Sequence, residues 1–138
     1  VSRSGYSDDC EYLDLWRSNV ERTIRGRRGQ AFLRELVESL EAMPEKRLIS
    51  HELRSEIGEV CAIGSVGLKR GIDMTRLDPQ DPEQVGRAFG ISSMLAQEIV
   101  FENDEKYCRQ TPEERWSRMH AWAKSHLKSE LEKSAKGE

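Results

Sequence analysis

A chain of 138 residues, 36% hydrophobic and 34% charged, is long enough to bury roughly two-thirds of its unfolded surface in one core, so folding needs no metal or disulfide framework. Its mean hydropathy of -0.74 implies a thin core beneath a heavily charged surface. A net charge of -3 with both signs interspersed excludes a protein that coats nucleic acid or an anionic membrane by bulk electrostatics, so any nucleic-acid site has to be local. No segment approaches the roughly 20 apolar residues of a membrane span. Nothing at the start combines a basic stretch with an apolar run, so neither a membrane partner nor a secretory signal is expected.

The apolar spacing predicts one helical domain over residues 1–138, mainly α, with about five to six helices and a frayed tail after about residue 132. The first helix is expected from Ser7 or Asp8 to about Ile24, because Leu13, Trp16, Val20 and Ile24 recur on one face. Arg25-Gly26-Arg27-Arg28-Gly29 interrupts that pattern. A second helix follows, with Phe32, Leu33, Leu36, Val37, Leu40 and Met43 on a broad apolar face before Pro44 stops it. The two form an αα-hairpin. Between residues 45 and 59 periodicity does not decide, and a short strand pair near residues 46–60 stands beside an irregular connection.

Residues 60–70 place Ala62, Gly64, Ser65 and Gly67 among Val60, Ile63 and Val66, which predicts a short helix packed closely on a neighbour and stopped by Gly71. Asp81-Pro82 is a helix start, with Asp81 as N-cap and proline in the first turn, and Gly90 ends that helix. Ile91 and Ser92 open the next, which carries Met94, Leu95, Ile99 and Val100 and is expected to fade in the acidic run Glu102-Asn103-Asp104-Glu105. Thr111-Pro112-Glu113-Glu114 reads as a capping box, ahead of a face formed by Trp116, Met119, Ala123, Leu127 and Leu131.

Few residues invite chemistry. Cys10, Cys61 and Cys108 form an odd set, about fifty residues apart, with no C-x-x-C pair, which suits reduced thiols. His51, His120 and His126 fit no metal-ligand spacing, so neither a metal nor a cofactor is expected. No nucleophile stands beside a base in a known motif, and no catalytic residue is nominated. Glu113 and Glu114 are explained by their place in a first helical turn.

Two stretches remain as candidate binding sites. Arg22, Arg25, Arg27, Arg28 and Arg34 fall within residues 22–34, a window without an acid. Adjacent guanidinium forks beside a glycine turn suit phosphates or carboxylates of a partner, while solvated arginines around a helix end are the simpler reading. Residues 81–100 resemble a helix-turn-helix, in which Val85, Gly86, Phe89, Ile91, Ala96 and Ile99 face inward and Ser92, Ser93, Met94, Gln97 and Glu98 outward, with Ser92, Ser93 and Gln97 available to nucleic acid. Its charge disfavours that use, since residues 81–105 hold six acids against the single base Arg87. Trp122 lies off the main stripe of the last helix and is the expected exposed aromatic, a candidate partner anchor.

The phrases Ser2-Arg3-Ser4-Gly5-Tyr6-Ser7-Asp8-Asp9-Cys10, Arg25-Gly26-Arg27-Arg28-Gly29-Gln30-Ala31-Phe32-Leu33, Met43-Pro44-Glu45-Lys46-Arg47-Leu48-Ile49 and Thr111-Pro112-Glu113-Glu114-Arg115-Trp116 resemble those of small uncharacterised proteins encoded in tailed phages and prophages. The resemblance spans most of the chain and carries no activity with it. It implies a host bacterial cytoplasm and a protein that acts by binding a host or phage macromolecule, with inhibition as one use and self-association left open. From sequence, then, the first expectation is a non-enzymatic interaction protein and the second a DNA-binding protein. If the apolar stripes suffice for a core, far-UV circular dichroism should be dominated by helix and thermal unfolding should be cooperative. Loss of that signal on adding chelator or reductant would contradict it.

Overall fold

The hairpin expected from the first two apolar stripes is present in the computed structural model, which describes residues 13–106 and 109–128. Helix α1 (Leu13–Arg25) is followed after one residue by α2 (Arg27–Ala42). Val20 and Ile24 of α1 and Phe32, Leu33, Leu36, Val37 and Leu40 of α2 are buried together. The helices cross closely because Gly29 lacks a side chain; a Cβ there would strike the carbonyl oxygens of Thr23 and Ile24. The expected start at Ser7 or Asp8 and the tail after 132 lie outside the described residues.

Four further helices are α3 (Ala62–Arg70), α4 (Pro82–Phe89), α5 (Ser93–Asp104) and α6 (Pro112–Ser125), with a 3-10 turn at Met74–Arg76. Several of their ends follow the local chemistry that the sequence indicated, but α6 stops at Ser125, so Leu127, expected on its apolar face, lies beyond the helix. Asp81 accepts from the backbone N–H groups of Glu83 and Gln84, and the Ser92 hydroxyl accepts from Leu95 N–H. Thr111 and Glu114 form the full capping box, and Gly71 and Gly90 stop their helices at φ 73° and 75°. Thr111 N–H holds the Glu114 carboxyl below the usual carboxylate range, which leaves it an ionised cap.

Helices α1, α3 and α6 each pack on both α2 and α5, and α4 packs on α5. The core therefore runs from Leu33, Leu36 and Leu40 through Ile63 and Val66 to Leu95, Ile99 and Met119. Trp116 ties α6 to α2, donating from Nε1 to Leu40 O at 3.1 Å, while His120 meets Glu41 at 2.7 Å. The mainly α class is as expected, with six α-helices and no strand among the described residues.

The connection from α2 to α3 is irregular, and the strand pair left open near residues 46–60 reduces to one isolated antiparallel bridge, Arg54 to Val60. Side chains from distant helices take the backbone groups that a second strand would have used. Asn103 Oδ1 accepts from Ala62 N–H at 3.1 Å, and its Nδ2 donates to Ile49 O at 3.0 Å. Arg115 donates to Leu48 O at 2.9 Å and to Asn103 O at 3.0 Å. Helix α5 ends inside the acidic run as expected, with Glu105 as its C-cap. It stays helical through Asp104, with Glu98, Glu102, Asn103 and Asp104 buried, because Asn103 is a bonding partner and Glu102 faces Lys106 at 3.5 Å and Arg118 at 3.6 Å.

Replacing Asn103 with alanine strands Ala62 N–H and Ile49 O in the interior, and should cost about 2 to 3 kcal/mol in denaturant unfolding. Replacing Gly86 with alanine should cost about 1 to 3 kcal/mol, since the new Cβ would lie 2.7 Å from Ile91 O where α4 meets α5. Unchanged midpoints for both would contradict this packing.

Candidate anion-binding cleft at the arginine turn

Arg22, Arg25, Arg27 and Arg28 are all exposed. Among the described residues, the side chains of Arg22, Arg25 and Arg27 make no hydrogen bond or ion pair. Arg28 makes one long contact, from Nη2 to Gly90 O at 3.4 Å. Arg34, further along α2, is half-buried. The turn is rigid for a reason outside itself. Gln30 is only 2% exposed and donates to Ile24 O at 2.8 Å and to His126 O at 2.9 Å, while its oxygen accepts from Lys128 N–H at 2.8 Å. One buried amide so joins the end of α1, the start of α2 and the segment after α6. A polar residue on the stripe of Leu33 and Val37 was a signal for it that the sequence reading passed over.

Arg27 and Arg28 share an open cleft of about 280 Å³ with Thr23, Gly29, Ile91, Ser92 and Leu95. The two stretches that sequence treated as rival sites therefore meet. Ser92, first residue of the expected nucleic-acid set, stands across from the arginines, and its hydroxyl oxygen accepts from Leu95 N–H at 3.0 Å, which leaves its own proton for a ligand. The N-cap of α2 is Gly26, which offers no side chain to the first N–H groups of the helix. Those groups have no intrahelical acceptor, and no acid stands in the first turn. Thr23 contributes wall and no donor, since its hydroxyl already donates to Asn19 O at 3.0 Å.

Arg25 faces elsewhere. It lines a second cleft with Glu21, Ile24, Ser125, His126, Leu127 and Lys128. Burial pushes the His126 imidazole below the usual histidine range, against the upward pull of Glu102 and Glu21. The remaining nominated residues are not brought to the arginines. Ser93 and Gln97 are half-buried on α5, and Glu98, expected to face outward, is 5% exposed. Met94, expected outward as well, lies 3.9 Å from the Thr23 hydroxyl. Trp122, the expected exposed aromatic, is half-buried against the core, with its ring edge-on at 5.0 Å to that of His126, one helical turn on at the C-cap of α6.

Among the described residues no group of three or more His, Cys, Asp or Glu is placed to hold a metal ion, and no helix is long and apolar enough to cross a membrane. Set against known protein families, characterised proteins and solved structures, the chain matches none. The site rests on its own geometry.

Replacing Arg27 and Arg28 together with alanine should leave unfolding within about 0.5 kcal/mol of the parent, as for exposed side chains. Replacing Gln30 with alanine should cost about 1 to 3 kcal/mol by stranding buried backbone partners. Because burial lowers the His126 pKa in the fold, the unfolded chain binds the proton more readily, so stability should decline as pH falls through the ordinary histidine range. A His126→Gln variant should flatten that part of the midpoint-against-pH curve.

Proposed function

We propose that this protein is a phage-type interaction protein, with no chemistry of its own, that binds a host or phage protein through the arginine turn. The observation that carries the reading is the set of exposed guanidinium groups on a turn held rigid by Gln30, without carboxylate partners among the described residues. On a chain of net charge -3, such a patch gains most from an acidic counterpart, which meets the guanidinium groups with charge-assisted hydrogen bonds. Covering the acidic surface of a partner is a direct route to inhibiting it.

The placement of α5 weighs against the DNA-binding alternative through Ser92, Ser93 and Gln97. The helix that would enter a groove packs on α1, α3, α4 and α6, and much of its surface is buried. A docking helix needs a continuous exposed face with basic neighbours.

Affinity purification of the tagged protein from host cells, followed by mass spectrometry, tests the reading. A stoichiometric protein partner is expected, with recovery falling as salt rises from low to moderate. Replacing Arg27 and Arg28 with alanine should weaken its binding by about 1 to 3 kcal/mol per desolvated pair. Salt-insensitive binding that ignores both arginines would overturn it, as would tight duplex DNA binding in place of a protein.

A further inference from the structure

Within the reading of a protein partner, on which this step rests, the cleft between the arginine turn and α5 selects one kind of group. We infer that it takes a phosphate monoester, carried on a phosphorylated side chain of the partner. The cleft is lined by Thr23, Arg27, Arg28, Gly29, Ile91, Ser92 and Leu95, so its charged residues are two arginines and no carboxylate is among them. Two cations match a dianion, whereas a single carboxylate leaves half of that charge unanswered. A guanidinium fork also fits the edge of a tetrahedral phosphate with two parallel N–H donors.

The other donors agree in kind. The Ser92 hydroxyl has its oxygen engaged by Leu95 N–H and its proton available. Ile91 and Leu95, which also line the cleft, are buried, so the backing of the polar groups is apolar. At about 280 Å³ the cleft holds a small group and its stem. It suits a nucleic-acid backbone poorly, since phosphodiesters are monoanions in an extended row, and Arg25, the next cation along the turn, opens into the other cleft.

Nuclear magnetic resonance titration of the whole protein tests this with inorganic phosphate under slightly alkaline conditions, against acetate at equal ionic strength. Phosphate is expected to shift the amide signals of Arg28, Gly29, Ser92 and Ser93 saturably, and acetate to leave them nearly unmoved. A phosphoserine peptide should bind at least about tenfold more tightly than its unphosphorylated twin and more tightly than inorganic phosphate, and an Arg27→Gln, Arg28→Gln double variant should lose about tenfold or more. Equal shifts from acetate, equal affinity of the two peptides, or tighter binding of a short DNA duplex through the same residues would each overturn the inference. The functional reading fails separately. If partner capture still depends on Arg27 and Arg28 after phosphatase treatment of the lysate, the protein-binding reading stands and the phosphate falls; if no partner depends on those arginines, the functional reading falls.

Discussion

The irregular segment between α2 and α3 carries backbone groups that neither a helix nor a sheet satisfies, and the fold depends on the buried pair that answers them. Asn103, from the last turn of α5, bonds Ala62 N–H and Ile49 O; Arg115, from the first turn of α6, bonds Leu48 O and Asn103 O. An unpaired polar group at such depth costs more than a formed bond contributes. The pair therefore specifies one arrangement, in which the start of α3, the end of α5 and the start of α6 are fixed against one another. With α3 and α6 seated across both α2 and α5, the position of α5 beneath the arginine turn is set.

At the opposite end of α5, arginines are used in two different ways. Arg70 is enclosed in partners: it makes a two-pronged contact with Glu35 at 2.8 and 2.5 Å, donates to Phe89 O at 3.0 Å, and lies 5.9 and 5.8 Å from the ring centres of Phe32 and Phe89. Its hydrogen bond holds the Glu35 carboxyl below the usual carboxylate range. That is an arginine employed to join α2, α3 and α4. Arg27, by contrast, has no such partner, and Arg28 only touches the next carbonyl, Gly90 O. Both sit where the chain has already been immobilised by Gln30, so a ligand meets guanidinium groups whose backbone need not be ordered on binding.

The helix-turn-helix resemblance is informative because its internal half is present and its external half is not. Gly86 lets α4 and α5 approach, and Val85, Phe89, Ile91, Ala96 and Ile99 are buried, as the motif requires. The motif's outward side chains meet other helices instead, with Glu98 buried and Met94 against Thr23. Of the motif's outward residues only Ser92 stays exposed, and it shares the cleft with Arg27 and Arg28.

Sequence by itself determined the helical class, the hairpin and several helix ends, because those depend on apolar periodicity and on local signals such as Asp81, Gly71, Gly90 and Thr111 that act within one turn of the backbone; it did not foresee that α6 stops at Ser125, short of Leu127. It also marked the arginine turn, where charge is concentrated in consecutive residues. Only the tertiary structure decided that Asn103 and Asp104 belong inside, that Trp122 leans on the core, and that Arg28 stands beside Gly90 and Ser92 across a separation of more than sixty residues. Those outcomes turn on which helices share a neighbour. A polar residue reads as exposed from its own segment, and it becomes an interior partner only when a distant backbone N–H or C=O arrives that nothing else can satisfy.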